Sequence, residues 1–272
     1  MLVRIMAVVL ALTTAGTSMS ATAATRPRTL VALGDSSAAG PLIPEQIDPV
    51  CLRSDHDWPH LLADRLGAAL TDVTCSGARI PDLTGRQLGT VPPQFDALRR
   101  DTDLVTLAIS ANDIQLGAAF VTCASPDPAT TGPTCREQWG DTFATRIRDT
   151  APQLAAALTE IHRRAPRARV LVVGYLTYWR PGGCYPADPF RPADADYIQT
   201  AFDQLMAMMA RVARLNGASY VDIRGPSARH DLCEPPPRRW LEGATPASPA
   251  YPYHPNATGM AEAALIIAHH AR

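Results

Sequence analysis

The chain has no lysine. All 25 of its basic residues are arginine, and with 26 acidic residues they leave a net charge of −1. We interpret the missing lysine as a bias toward GC-rich codons, which carries no information about function. Because there is no basic excess and no segment concentrates basic residues, the charge pattern argues against nucleic acid as a partner.

Long apolar runs are also missing after the first residues, since no later segment approaches the roughly 20 apolar residues of a transmembrane helix. At the start, Met1–Arg4 carries a positive charge, Ile5–Leu12 is apolar, and Ala21–Ala24 offers an A-x-A cleavage site. This pattern predicts a secretory signal peptide over residues 1–24 rather than an uncleaved membrane anchor. Residues 25–272 would then form a single extracellular domain, because no linker divides them.

The cysteines include no Cys-x-x-Cys pair, which argues against a zinc site or a thiol redox site. All six lie in the part of the chain that we expect to be exported: Cys51, Cys75, Cys123, Cys135, Cys184 and Cys233. An even number of cysteines in a secreted chain predicts disulfides. Their spacing alone does not choose among the possible pairings.

The sequence does have short apolar runs that alternate with longer segments of helical spacing. The runs predict five strands: Leu30–Leu33, Thr71–Thr74, Asp103–Ile109, Val170–Tyr175 and Tyr220–Ile223. The main predicted helices are Asp57–Leu66, Glu137–Arg164 with a break or kink at Pro152, a long helix through Ile198 and Val212 that stops at Asn216–Gly217, and Ala257–Ala271. This alternation predicts a three-layer α/β/α domain around a five-stranded parallel sheet, of the flavodoxin-like kind.

The segment Gly34-Asp35-Ser36 ends the first predicted strand in a sharp turn. Such a turn places a serine Oγ at the carboxyl edge of the sheet, beside free backbone N–H groups. Gly77 follows the second predicted strand and Asn112 the third, so all three would lie on the edge where parallel sheets bind ligands. Turns use the same residue types, but three of them on one edge favour a functional site.

A nucleophilic serine needs a base, and histidine is the usual one at neutral pH. Three of the seven histidines fit solvated helix positions and three give no specific signal: His162, His269 and His270 in the first group, and His56, His60 and His230 in the second. His254 differs, because Pro255 keeps it out of helical conformation on a loop just before the last helix. It is therefore the candidate base.

Four short motifs, in their order along the chain, resemble those of the SGNH hydrolases, also called GDSL lipases and esterases. The matching blocks are Gly34-Asp35-Ser36, Gly77, Asn112-Asp113 and His254-Pro255-Asn256. Cys51-Leu52-Arg53-Ser54, followed by Trp58-Pro59 and Leu61-Leu62-Ala63, is similar to the secreted actinobacterial branch of the family. The resemblance covers the whole of residues 25–272 and implies the SGNH-hydrolase fold.

The resemblance also implies roles for particular residues. Ser36 would be the nucleophile, and His254 the general base and then the general acid. The oxyanion would be held by the backbone N–H groups of Ser36 and Gly77 and by the side-chain amide of Asn112. The implied reaction is hydrolysis of a small-molecule or lipid ester through an acyl-serine intermediate, without a metal or an organic cofactor.

For the cysteines, the resemblance implies pairing in sequence order, which gives Cys51–Cys75, Cys123–Cys135 and Cys184–Cys233. It further implies a secreted protein without a membrane span, and we expect a monomer.

Two positions depart from the family pattern. Tyr251 stands where many members have an aspartate three residues before the histidine. Because some secreted members use a main-chain carbonyl at this position, we expect the Tyr251 carbonyl to orient His254. A carboxylate from elsewhere, such as Asp231 or Glu242, is the alternative. The second departure is Ser110-Ala111, where many members have glycines.

The sequence leaves the substrate open. Tyr178, Trp179, Tyr185 and Phe190 lie in or beside the loop after the fourth strand, where they could line an acyl groove or only cap the core. Our main hypothesis is a secreted serine esterase or lipase with a Ser–His dyad. The alternatives are a carbohydrate O-acetylesterase that uses the same site and a catalytically silent secreted binding protein.

Overall fold

The computed structural model describes residues 26–125 and 131–272, so the predicted signal peptide lies outside the described residues. The strands are β1 Thr29–Gly34, β2 Gln46–Asp48, β3 Arg53–Ser54, β4 Ala69–Asp72, β5 Leu104–Ala108, β6 Arg169–Val173 and β7 Ser219–Val221. The α-helices are α1 Ser36–Ala39, α2 Trp58–Leu66, α3 Leu116–Thr122, α4 Cys135–Trp139, α5 Thr142–Arg164, α6 Pro192–Leu215, α7 Arg224–Ser227 and α8 Ala257–Ala271. Two short 3-10 helices cover Ile80–Leu83 and Gln94–Ala97.

Five strands form one parallel sheet, as the sequence predicts, and the structure gives their order as β4-β1-β5-β6-β7. Strand β1 pairs with β4 on one side and β5 on the other, so that Leu30 lies opposite Leu70 and Leu104. Strands β2 and β3 form a separate antiparallel pair. Since β4, β1 and β5 are parallel neighbours, the segments that follow them all leave the sheet at the same carboxyl edge.

The sheet is the middle layer of an α/β/α sandwich. Strands β1, β5 and β6 are built almost entirely from buried residues, as expected for strands that are covered on both faces. Helix α2 packs against α8, and α5 packs against α6. The apolar side of α6 is buried along its length, and Met206 and Met209 are part of the core rather than of a binding surface.

The helix boundaries differ from the prediction in one region. The helix predicted over Glu137–Arg164 is two helices, because α4 begins earlier with a capping box between Thr134 and Glu137 and ends at Gly140. Gly140 has a φ of 47°, in the region that favours glycine. Pro152 lies inside α5 without ending it, since the packing of the apolar face outweighs one lost hydrogen bond.

Three disulfides join the cysteines in sequence order, which is the pairing that the resemblance implied: Cys51–Cys75, Cys123–Cys135 and Cys184–Cys233. They brace loops on the carboxyl side of the sheet, and such bonds persist in oxidising compartments. Within residues 26–125 and 131–272, no helix has the length and apolar character needed to span a bilayer.

Candidate active site

Strand β1 ends in a close approach to β5 that fixes the position of Ser36. A Cβ on Gly34 would lie 2.5 Å from the Ala108 carbonyl oxygen, so only glycine fits there. The next residue, Asp35, donates its backbone N–H to that carbonyl at 2.8 Å and caps α1 by accepting the Ser37 N–H at 2.9 Å. Ser36 therefore begins α1 at the carboxyl edge of the sheet.

A buried glutamine also holds this turn. The Gln94 side chain accepts the backbone N–H of Gly34 at 2.8 Å and donates to the Gly34 carbonyl at 2.9 Å. Gln94 lies in a 3-10 helix, 60 residues along the chain from Gly34. No sequence pattern indicates this contact, because a glutamine in a short irregular segment carries no functional signal of its own.

Tyr175 connects the serine turn to the segment that carries Asn112. Its hydroxyl donates to Asp35 Oδ2 at 2.7 Å and accepts the backbone N–H of Ala111 at 3.0 Å. The Asp35 and Tyr175 side chains are buried, and burial raises the pKa of both groups. The loops after β1 and β5 are thus held together by one phenol that comes from the end of β6.

The histidine lies directly over the serine. His254 Nε2 is 2.7 Å from Ser36 Oγ, and His254 Nδ1 is 2.8 Å from the Pro252 carbonyl oxygen. A carbonyl only accepts, so Nδ1 carries the proton and Nε2 is free to accept the serine hydroxyl. Burial lowers the pKa of His254, which favours the neutral ring.

The expectation that the Tyr251 carbonyl orients this ring is wrong. The Tyr251 carbonyl accepts the backbone N–H of His254 at 3.1 Å in a tight turn. Tyr253 has a φ of 61° within that turn, and the carbonyl that faces the ring is the one of Pro252. A main-chain carbonyl therefore does take the place of the missing aspartate, but it belongs to the next residue.

Neither of the alternative carboxylates contacts the histidine. Asp231 pairs with Arg180 at 3.0 Å. Glu242 is bonded to Arg239 and accepts the Asn256 side-chain amide at 2.8 Å. Their role is to hold the loops on which the site is built, since Asn256 also caps α8 just after His254.

Asn112 lies on the same side of the pocket as the serine. Its Nδ2 donates to the Ala78 carbonyl at 3.0 Å, which uses one of the two amide hydrogens. The second hydrogen remains for a ligand in the pocket that Ser36, Asn112 and His254 all line. Ser110 has a φ of 120°, a conformation that glycine adopts more readily, at the place where the family has glycines.

Gly77 is placed beside the serine turn but not in the pocket lining. The segment is held there because Cys75 donates its backbone N–H to the Gly34 carbonyl at 3.0 Å. Gly77 has a φ of 79°, in the left-handed region that favours glycine. Unlike Ser36, Asn112 and His254, it is not among the residues that line the pocket.

The pocket beside these residues has a volume of about 410 Å³. Beside the polar groups of Ser36, Asn112 and His254, its lining is largely apolar and aromatic. The apolar and aromatic lining residues include Leu116, Phe120, Tyr178, Phe202 and Tyr253. The rings pack on each other, with centroids 4.7 Å apart for Phe120 and Tyr253 and 4.0 Å apart for Tyr178 and Phe202. Such a lining suits an apolar ligand segment.

Helix α3, which supplies Leu116 and Phe120, is the part of this pocket that the sequence did not predict. Of the aromatic residues that the sequence proposed, only Tyr178 lines the pocket. Trp179 and Phe190 are each 1% exposed and pack behind Phe120 as part of the core, and Tyr185 does not reach the lining. For Trp179 and Phe190 the structure favours the core over the groove, whereas Tyr185 is partly exposed and belongs to neither.

A serine hydroxyl bonded to a histidine, at the carboxyl edge of a parallel sheet and beside an apolar pocket, is an arrangement that can activate a serine for attack on an acyl carbonyl. The chain belongs to the GDSL-like Lipase/Acylhydrolase family, whose model matches residues 32–262. It is a carboxylic ester hydrolase of the secreted actinobacterial branch, as its relatives indicate.

Similar proteins come from Streptomyces. Over 241 residues the chain is 39% identical to Lipase 2 of Streptomyces coelicolor, a match that covers 84% of this chain and 81% of that one. Two solved structures have TM-scores of 0.75 and span 90% of this chain. One is phospholipase A1 from Streptomyces albidoflavus, which is 25% identical to this chain and is matched over 99% of its own length. The other is an extracellular lipase from Streptomyces rimosus, which is 29% identical and is matched over 100% of its own length.

Proposed function

We propose that the protein is a secreted esterase or lipase that hydrolyses acyl esters with a Ser36–His254 dyad. The observation that carries the proposal is the 2.7 Å distance between Ser36 Oγ and His254 Nε2 in the lining of a largely apolar pocket. The three disulfides and the extracellular lipase among the similar structures support secretion. We expect a monomer of residues 25–272 after removal of residues 1–24.

In the first half of the reaction, Ser36 Oγ attacks the ester carbonyl while His254 Nε2 takes the hydroxyl proton. The Pro252 carbonyl accepts the Nδ1 hydrogen and so keeps Nε2 free for this proton. The negative oxygen of the tetrahedral intermediate would receive hydrogen bonds from the backbone N–H groups of Ser36 and Gly77 and from the Asn112 amide.

In the second half, the proton held by His254 passes to the oxygen of the leaving alcohol, and the carbon–oxygen bond to that alcohol breaks. A water molecule then attacks the acyl-Ser36 ester, with His254 as its general base. The acid product leaves, and the Ser36 hydroxyl is restored. Each step uses only the serine, the histidine and hydrogen-bond donors.

The apolar pocket favours an acyl-ester hydrolase over a carbohydrate O-acetylesterase. An acetyl group is small, whereas the pocket of about 410 Å³ extends past an aromatic lining from Phe120 to Tyr178. The contact between Ser36 and His254 likewise opposes the silent binding protein, since such a protein has no need of an activated hydroxyl.

These functions are separated by labelling with a fluorophosphonate and by a panel of p-nitrophenyl esters from acetate to palmitate, with acetyl-xylan alongside. We expect covalent labelling of Ser36 and a kcat/KM that rises from acetate to medium-chain esters, because longer chains fill the apolar pocket. Faster turnover of acetyl-xylan than of every acyl ester would identify the O-acetylesterase. Failure to label the folded protein would identify the binding protein.

The pH dependence of kcat/KM tests His254 as the base. Only the neutral ring accepts a proton, so activity should rise with pH through the pKa of His254 in the free enzyme. Because burial lowers that pKa, the midpoint of the acid limb should lie below 6.5, the ordinary value for histidine. A midpoint at or above 6.5 would contradict this assignment.

A control is needed because burial also raises the pKa of Asp113, next to Asn112, to about 6. The Asp113→Asn variant keeps an oxygen for the Ile80 N–H, which Asp113 Oδ1 accepts at 2.9 Å. The acid limb should persist in this variant if His254 is its source. Its disappearance would assign the limb to Asp113.

A further inference from the structure

Three side chains that ligate metals converge close to the serine turn, outside the acyl pocket. Asp57 precedes α2, His60 lies in its first turn, and Asp72 ends β4. Their ligand atoms all lie within 4.8 Å of one another. His60 Nδ1 is 2.7 Å from Asp57 Oδ1 and 3.6 Å from Asp72 Oδ2. The three ligand atoms therefore form a triangle with no side longer than 4.8 Å.

The two carboxylates are buried and incompletely bonded. The side chain of Asp57 is 0% exposed and that of Asp72 is 4% exposed. Among the residues that the structure describes, none donates a hydrogen bond to Oδ2 of either aspartate. Two adjacent buried carboxylates repel each other unless a proton or a cation lies between them.

The neighbouring arginine does not supply that charge by direct contact. Arg53 directs one terminal nitrogen to Asp48 at 3.0 Å and the other to the Thr74 carbonyl at 2.7 Å. His60 Nδ1 is hydrogen-bonded to Asp57, but its distance to Asp72, 3.6 Å, is too long for a hydrogen bond. Within the described part of the chain, Asp57 Oδ2 therefore has no hydrogen-bond partner, and Asp72 Oδ2 has only the His60 ring nitrogen at 3.6 Å.

We propose that Asp57, His60 and Asp72 bind a divalent cation, for which Zn²⁺ has the matching coordination chemistry. Zinc binds imidazole nitrogen and carboxylate oxygen, commonly with three protein ligands and a water. Ligands at about 2.0–2.2 Å in a tetrahedron lie roughly 3.3–3.6 Å apart, so the 3.6 Å separation already fits and the 2.7 Å separation has to widen by less than about 1 Å. His60 is 28% exposed, which leaves an opening where a water completes the shell.

Calcium and magnesium do not match this set. Ca²⁺ takes about six to eight oxygen ligands, and Mg²⁺ requires an octahedron of oxygens. The site offers one nitrogen and two carboxylates in a largely buried place. The N-terminal end of α2 carries about half a positive elementary charge, which repels a cation. The two carboxylates carry a larger negative charge and outweigh this repulsion. Selectivity for zinc over calcium follows from the ligand types.

A bound cation would stabilise the junction between α1 and α2. A Cβ on Gly40, the cap of α1, would lie 3.2 Å from the Asp57 Cβ, and Trp58 Nε1 donates to the Ser37 carbonyl at 3.2 Å. The cation would not touch the substrate, because none of the three ligands lines the acyl pocket. We therefore expect zinc to raise the melting temperature rather than to take part in the chemistry.

The test uses the purified, disulfide-bonded protein after treatment with a chelator. Titration calorimetry with ZnCl₂ should give one site, and zinc should raise the melting temperature, whereas CaCl₂ should do neither. His60→Gln should weaken zinc binding by at least about 10–100-fold, since loss of a group that only orients a ligand already costs that much. Co²⁺ should give visible absorption bands typical of four-coordination that His60→Gln removes.

His56→Gln is the matched control. His56 Nδ1 also contacts an aspartate, Asp55 at 2.5 Å, but this pair is exposed and has no second buried carboxylate. His56→Gln and the double variant His269→Gln/His270→Gln should bind zinc like the parent protein. Equal zinc affinity in His60→Gln and the parent would overturn the proposal, as would the absence of a zinc site in the parent. Because His60 is partly exposed on a helix, its variant should fold.

Discussion

Ser36→Ala should lower kcat on medium-chain p-nitrophenyl esters by about 10⁵- to 10⁶-fold, the size of loss seen when a catalytic serine is removed from a serine hydrolase. The variant deletes one oxygen, whose partner is His254 Nε2 at 2.7 Å. The fold should persist, because alanine favours the helix that begins at this position and Asp35 still caps it. Single-turnover kinetics, fluorophosphonate labelling and thermal melting measure these effects together.

The corresponding histidine variant makes the test sharper. His254→Ala should lose activity to a similar extent, and the double variant should be no slower than either single one, because the serine and the base act as a unit. An unchanged melting temperature in each variant would exclude unfolding as the cause. Activity of Ser36→Ala within tenfold of the parent enzyme would refute the dyad.

The sheet could be predicted because its central strands are covered on both faces. Leu30–Leu33 and Val170–Tyr175 are continuous apolar runs, and the structure has strands β1 and β6 there. Helix α3 is harder to predict, because it has seven residues and follows Gln115, which has a φ of 57°. A helix that short has little periodicity, and its position depends on packing against distant aromatic residues.

The polar residues of the site were predictable because a parallel sheet gathers them. Ser36 and Asn112 follow adjacent parallel strands, so the topology alone places them at one edge. The sequence does not show which residue supplies the carbonyl that orients His254. Every residue has a carbonyl, and the conformation of the turn decides which one faces the ring. Pro252 takes that place because the Tyr251 carbonyl is already bonded to a backbone N–H.

The long-range contacts could not be predicted from the residues themselves. Tyr175 bonds to Asp35 across 140 residues, and His60 meets Asp72 only because α2 leads directly into β4. In the sequence, Tyr175 was the last residue of a predicted strand and His60 gave no signal. Their meaning depends on which strand ends beside which helix, and that information lies in the tertiary structure.

Asn112→Ala should lower kcat by about 10²- to 10³-fold with little change in KM, the usual result of removing one oxyanion donor. Asn112 Nδ2 uses one of its hydrogens to bond to the Ala78 carbonyl at 3.0 Å. Its other hydrogen forms a strong hydrogen bond only when the carbonyl oxygen of the substrate ester becomes negative. The loss should be smaller than that of Ser36→Ala, because the backbone donors remain. Steady-state kinetics on one medium-chain ester give both constants.

Two further variants separate hydrogen bonding from packing. Asn112→Asp keeps the shape of the side chain but places a carboxylate where the oxyanion forms, so it should be at least as slow as Asn112→Ala. Asp113→Asn is the neighbouring control and should keep most of the activity, because its oxygen still accepts the Ile80 N–H and it does not line the pocket. If Asn112→Ala raised KM while kcat stayed the same, Asn112 would bind the substrate ground state instead of the oxyanion.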